Sequence, residues 1–165
     1  MKILFSFLTI FCTPNILGQS ITIEELIKIN KMPLDDIETI LMKKNFSLAN
    51  TSKDSLTTTI KYENKNSELA ITITKYEKPN IFIIEYLTFQ KGEYLKAKEY
   101  CKIKKFKLLG TKVGKGEISN IATSYLLNGC LIKLTSNSTL AQDGQSNLNW
   151  YAIKIDDSNN YGLKK

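Results

Sequence analysis

The sequence predicts an α+β fold: two tandem repeats, each a helix followed by about four antiparallel strands, with the helices packed on one face of the sheet. Three observations lead there. Apolar residues at helical spacing recur in two segments set 60 positions apart. Each segment is followed by runs that alternate apolar and polar residues, the signature of half-buried strands. Short turn signals separate those runs.

The chain opens "MKILFSFLTIFCTPNILGQS". Lys2 precedes an apolar run from Ile3 to Cys12 that is too short to span a bilayer. Pro14 and Asn15 break the run, and Gly18 to Ser20 supplies small residues at its exit. That anatomy predicts a secretory signal peptide over residues 1–20, a periplasmic or secreted mature chain, and no transmembrane segment after cleavage. Cys12 follows Phe11 rather than a small residue, which argues against lipidation.

The first repeat is expected over residues 21–89. A short helix near 23–31 opens it, because Thr22 followed by Glu25 has the form of a capping box. A second helix is expected over 33–44, with Pro33 suited to a first turn. Strands are expected near 46–51, 56–63, 68–77 and 80–89, the last two joined by a tight turn through Glu77–Asn80.

The second repeat is expected over residues 90–156, with a helix over 91–104 and strands near 105–112, 116–126, 130–136 and 148–156. Here "LDDIETILMKKNFSL" overlays "YLKAKEYCKIKKFKL" without a gap. Leu34 meets Tyr94, Ile37 meets Ala97, Ile40 meets Tyr100, Leu41 meets Cys101, Phe46 meets Phe106 and Leu48 meets Leu108. The first four pairs form one helical stripe, and the last two alternate as an entering strand does. Further along, Ile71 and Ile73 align with Ile132 and Leu134, and Phe82, Ile84 and Tyr86 with Tyr151, Ile153 and Ile155. An internal repeat is the economical account. Residues 137–148 are expected as a long surface loop, and residues 157–165 as a fraying polar tail in which Asp156 and Asp157 lie solvated at the border.

This order of elements, from Ile21 to Asp156, resembles the tandem helix-plus-four-stranded-sheet architecture of β-lactamase-inhibitor-like proteins. It is also similar to small exported Bacteroidota-type proteins with such a tandem repeat. The resemblance implies a fold used by inhibitors and binding modules, and it carries over no catalytic residue.

Composition narrows the chemistry. The 165-residue chain has no histidine and no arginine, so all 23 of its cations are lysine, and the net charge is +7. Without histidine there is no imidazole base, His-bearing triad or His metal ligand. Without arginine there is no bidentate fork for phosphate or carboxylate. No carboxylate cluster has metal-ligand spacing, so neither a metal nor a cofactor is expected. The expectation is a protein that is not an enzyme.

Charge is uneven along the chain. Residues 91–165 hold 13 lysines and 6 acids, a balance of +7, while residues 21–90 hold 9 lysines and 10 acids, a balance of −1. The segment Leu95–Leu109 alone has six lysines and one glutamate. Its stripe of Tyr94, Ala97, Tyr100 and Cys101 should cover a sheet, leaving Lys96 and Lys102 in water and Lys98 and Lys105 flanking. The second half thus suits an anionic partner. Nucleic acid is not expected, since export removes the usual targets and no arginine reads bases.

Cys101 lies on the helix stripe, and Cys130 leads the face continued by Ile132 and Leu134. A helix-to-sheet disulfide between them and a pair of buried free thiols both fit this pattern. If Phe82, Ile84, Tyr86, Tyr151, Ile153 and Ile155 face the helices, alternation sends Ile81, Ile83, Glu85, Trp150 and Lys154 to the other side, beside Tyr76. That set is the candidate interaction surface, with Trp150 as its anchor. Gly114 and Gly116 in "TKVGKGE" read as a hairpin turn rather than a phosphate loop, and "DSL" at Asp54 resembles the O-glycosylation triplet of Bacteroidota but is too short to be specific. Together these features predict an exported binding or inhibitor-like module with a partner protein still to be identified. The alternative is an envelope-associated factor that engages anionic glycan or lipopolysaccharide through its lysine-rich half.

Overall fold

The computed structural model describes residues 20–64, 66–77, 81–141 and 146–158. Apart from Ser20, the expected signal peptide lies outside the described residues, as do most of the Glu77–Asn80 turn and the tail beyond Ser158. The fold is α+β, with three helices and one antiparallel sheet of eight strands. The elements are α1 (Ile23–Ile29), α2 (Leu34–Lys43), β1 (Ser47–Lys53), β2 (Thr57–Asn64), β3 (Leu69–Tyr76), β4 (Ile81–Thr88), α3 (Lys91–Ile103), β5 (Lys107–Gly114), β6 (Ser119–Leu127), β7 (Cys130–Leu140) and β8 (Asn147–Asp157).

The capping box is present. The Glu25 N–H donates to the Thr22 hydroxyl at 3.2 Å, and the Thr22 N–H donates to the Glu25 carboxylate at 2.9 Å. The same carboxylate pairs with Lys44 at 2.9 Å, tying α1 to the end of α2. Burial pushes the Glu25 carboxyl up, but the Thr22 N–H and the Lys44 ammonium outweigh it and hold the group below the usual carboxylate range. Pro33 is the N-cap of α2, with Asp35 and Asp36 in the first turn where the helix dipole favours anions.

Helices α2 and α3 end alike. The Phe46 N–H donates to the Leu41 carbonyl at 3.0 Å, and the Phe106 N–H to the Cys101 carbonyl at 2.9 Å. One residue earlier, Asn45 donates to Met42 and Lys105 to Lys102, both at 3.0 Å. These paired bonds are Schellman motifs, and they require a left-handed residue. Asn45 (φ 63°) and Lys105 (φ 59°) supply it, although neither is glycine. The strands that follow, β1 and β5, each carry a register shift, between Leu48 and Asn50 and between Leu108 and Gly110. Leu41 and Cys101 are both fully buried.

The strand order is β1-β2-β3-β4-β8-β7-β6-β5. Two four-stranded meanders therefore meet edge to edge where β4 pairs with β8, with Ile84 opposite Ile155 and Tyr86 opposite Ile153. The outer strands β1 and β5 are exposed along nearly all their length. Asn128 and Gly129, both with positive φ, close the two-residue turn from β6 to β7.

Alternate strand residues are buried: Ile60 and Tyr62, Leu69, Ile71 and Ile73, Ile84 and Tyr86, Tyr125, Ile132 and Leu134, and Tyr151, Ile153 and Ile155. They form one apolar cluster with Ile23, Leu26 and Ile29 of α1, Ile37 and Leu41 of α2, and Tyr94, Ala97 and Cys101 of α3. Tyr94 stacks at 5.1 Å on Tyr151, which joins α3 to β8. Lys96 and Lys102 are exposed and Lys98 is half-buried, so the lysines of α3 lie off the buried stripe.

Two expectations are corrected. The segment expected as a loop over 137–148 is strand at both ends: β7 runs to Leu140, β8 starts at Asn147, and these two residues are register partners. Backbone pairing needs no apolar side chains, so a polar strand extending past the core leaves no hydropathy signal. Nor does the chain fray at Asp157. That residue ends β8 opposite Cys130, and the Ser158 N–H donates to the Gly129 carbonyl at 2.7 Å. Asp156 is 2% exposed rather than solvated.

Candidate functional site

Register places the candidate surface. Residues one position off the buried set point to the second face of the sheet. Across it runs the row Lys61, Thr72, Glu85, Lys154, Lys133, Ser124 and Gly110, each opposite the next on the neighbouring strand. A parallel row joins Glu63, Ala70, Leu87, Ala152, Thr135, Ala122 and Lys112. Tyr76 lies opposite Ile81, and Thr74 opposite Ile83. All six expected residues, Tyr76, Ile81, Ile83, Glu85, Trp150 and Lys154, therefore belong to this face.

They do not make one patch. Tyr76, Ile81 and Ile83 gather at one end of β3 and β4, and Glu85 and Lys154 are cross-strand neighbours in the middle. Trp150 lies four residues from Lys154 along β8, about 13 Å away. Its surroundings are ones that sequence reasoning missed. Trp150 lines an open groove of about 680 Å³ with Ala70, Leu87, Phe89 and Leu148. Lys61, Glu63 and Glu68 supply charge to that groove. Phe89 and Leu148 are exposed, at 49% and 46%. An aromatic anchor among exposed apolar side chains, rimmed by both charge signs, has the make-up of a protein-contact surface.

A second concavity, of about 510 Å³, lies on the same face in the other half. Leu109, Gly110, Ala122, Ser124 and Leu131 line it together with Lys112, Lys133, Lys154 and Asp156. The residue-by-residue signal for it is a run of small side chains at alternate positions, Ala122 and Ser124, opposite lysine-bearing strands. The Asp156 carboxylate accepts the Asp157 N–H at 2.8 Å.

Cys101 and Cys130 are both free thiols. Cys101 belongs to the core cluster, and Cys130 packs against it. Burial pushes the Cys101 thiol up to about 12, with the nearby Cys130 adding to the rise. Burial likewise pushes Cys130 up to about 11; Lys31 opposes the rise, and Asp157 and Asp156 add to it. Neither sulfur is a thiolate nucleophile at neutral pH.

Among the described residues no helix is long and apolar enough to cross a membrane. No group of three or more Cys, Asp or Glu side chains placed to hold a metal occurs among them either. Comparison of the chain with protein-family models, curated proteins and solved structures finds no match.

Proposed function

We propose that the protein is an exported, non-enzymatic binding or inhibitor-like module, built from two copies of a helix-and-four-strand unit. In this reading the helices lie on one face of the sheet and the second face receives a partner protein. The matched Schellman motifs, bulges and meanders of the two halves support the duplication, as does the architectural resemblance to β-lactamase-inhibitor-like proteins. The signal-peptide pattern of residues 1–20 supports export.

The observation that carries the binding reading is Trp150 seated in a groove with Ala70, Leu87, Phe89 and Leu148. Large, half-exposed aromatic residues at the centre of apolar surface dominate protein–protein contacts, and truncating them costs about 2 kcal/mol or more of binding. The test is affinity capture from envelope extract with the tagged chain and two variants, Trp150→Ala and Leu87→Lys. A discrete protein captured by the wild type and lost in both variants is expected. Capture that is unchanged in either variant overturns the assignment of this groove.

A second reading has its own observation. The lysine-rich half presents Lys112, Lys133 and Lys154 to one concavity, which suits an anionic glycan or lipopolysaccharide of the envelope. Under that reading lipopolysaccharide co-sediments with the chain, the association weakens as salt rises, and Trp150→Ala leaves it intact.

A further inference from the structure

We infer that the concavity over β6 is a site for a small amphiphilic anion: a sulfonate, phosphate or carboxylate on an apolar body. Its volume of about 510 Å³ is in the range that encloses a small organic molecule. The shape comes from the residues on the strands. Gly110, Ala122 and Ser124 are small and sit side by side on β5 and β6, so the sheet surface sinks there. Leu109 and Leu131 give the trough apolar walls.

The charges sit on either side of the sunken strand. Lys112 is the register partner of Ala122, and Lys133 that of Ser124. Lys154 then stands directly opposite Lys133 on β8. Like charges opposed across a ladder destabilise a sheet, and a bound anion relieves that repulsion. The first half treats its cations differently. There Lys61 pairs with Glu63, and Lys75 with Glu77 at 3.8 Å. No ion pair reaches Lys112, Lys133 or Lys154 among the described residues. Asp156 is the one acid in the lining and is buried, and Glu85 stands opposite Lys154 on β4 without an ion pair between them, so three cations meet two carboxylates. An anionic head is therefore held between Lys112, Lys133 and Lys154, and the apolar body lies over Ala122 toward Leu109 and Leu131. The site is separate from the Trp150 groove and does not depend on a protein binding there.

The experiment uses the full chain and two fluorescent probes with the same aromatic body, the anionic 8-anilinonaphthalene-1-sulfonate and the neutral N-phenyl-1-naphthylamine. The sulfonate is expected to bind saturably, with one site per chain, and roughly tenfold more tightly than the neutral probe. Lys133→Gln with Lys154→Gln should weaken the sulfonate about tenfold or more and leave the neutral probe unchanged. Ser124→Leu, which fills the trough, should abolish both. Lys61→Gln and Trp150→Ala should change neither. A thermal melt on each variant checks the fold. Equal affinity for the two probes overturns the inference, and so does a folded Lys133→Gln, Lys154→Gln or Ser124→Leu variant that binds the sulfonate as wild type does. Loss of sulfonate binding in Trp150→Ala would move the site to the other groove and overturn it as well.

Discussion

The two halves of the sheet share a backbone plan and differ in what they hang on it. Near the C-terminus of α2 Leu41 is fully buried; near that of α3 it is Cys101. Lys44 and Lys104 occupy matching helix-terminal positions, yet Lys44 pairs with Glu25 while Lys104 lies 5.9 Å from the centre of the Tyr100 ring. The turn from β1 to β2 is held by the Asp54 side chain, whereas in the other half Gly114 ends β5 and Gly116 lies in the turn to β6. The helix ends and the register shifts of β1 and β5 match, while the side chains around them differ. In the first half Lys44, Lys61 and Lys75 pair with nearby acids, while in the second Lys112, Lys133 and Lys154 line one groove.

The largest effect that probes this comparison is core truncation. Leu41→Ala should cost about 2–5 kcal/mol in urea denaturation, the usual range for a buried leucine that leaves a cavity. Cys101→Ala removes a single heavy atom from the matching position and should cost about 1 kcal/mol. Equal losses would mean that the two sites pack differently despite their shared backbone.

Next comes the alkaline limb. The ordinary thiol value is 9.0, and burial raises Cys101 to about 12 and Cys130 to about 11. A group whose value is raised by folding gives its full stabilisation below the unfolded value, and that contribution is lost as pH climbs toward the folded value. The thiol contribution to stability should therefore be constant below about pH 9 and decline from there toward pH 12. Between pH 9 and 10, below the 10.0 ordinary value of the tyrosines, the thiols dominate the decline. The Cys101→Ala, Cys130→Ala double variant should be flat over that interval. If wild type and variant decline in parallel there, the thiols are not buried as described.

Much of this plan is legible in the sequence, for identifiable reasons. The Leu34–Leu41 stripe and its counterpart at Tyr94–Cys101 could be read because a helix face has a fixed period and the overlay needed no gap. The division of Ile84, Tyr86 and Ile153 from Ile83, Glu85 and Trp150 could be read because strand alternation is strict. The distance between Trp150 and Ile81 could not, since it depends on the register of β4 against β8, which no local pattern encodes. The strand extensions at 137–140 and 147–148 were hidden because their stability rests on backbone pairing rather than on apolar side chains. The Schellman ends were hidden because Asn45 and Lys105 are not the glycine that normally signals them. The groove over β6 was hidden because Gly110, Ala122 and Ser124 become neighbours only through pairing.

Those helix ends offer a smaller contrast. A left-handed conformation costs an ordinary residue roughly 1–2 kcal/mol, and asparagine less. Lys105→Gly relieves that strain at the end of α3 and should raise stability by about 1 kcal/mol, partly offset by the freer unfolded chain. Asn45→Gly, at the matching place after α2, should gain only a few tenths, about 0.3 kcal/mol. A loss on Lys105→Gly would show that the Lys105 side chain, rather than its backbone, holds the end of α3.

The smallest effect is local and concerns the turns. One Asp54 carboxylate oxygen accepts the N–H groups of Leu56 and Thr57, each at 2.7 Å, and the other accepts the Thr57 hydroxyl at 2.8 Å. These bonds, led by that from Leu56, hold the Asp54 carboxyl below its usual range. A lowered value means that the carboxylate supports the turn at all pH above the unfolded value and releases it as pH falls through the folded one. The amide resonances of Leu56 and Thr57 should therefore hold steady from neutral pH to about pH 4 and move only in stronger acid. The amides of Glu117 and Ile118, in the turn of the other half, should not follow that titration. Asp54→Asn, measured at neutral pH, should loosen Leu56 and Thr57 in amide exchange while β5 and β6 stay as protected as before. If β5 and β6 loosened together with Leu56 and Thr57, the turns would be coupled through the sheet, and the two meanders would behave as one cooperative body rather than as two halves with separable side-chain chemistry.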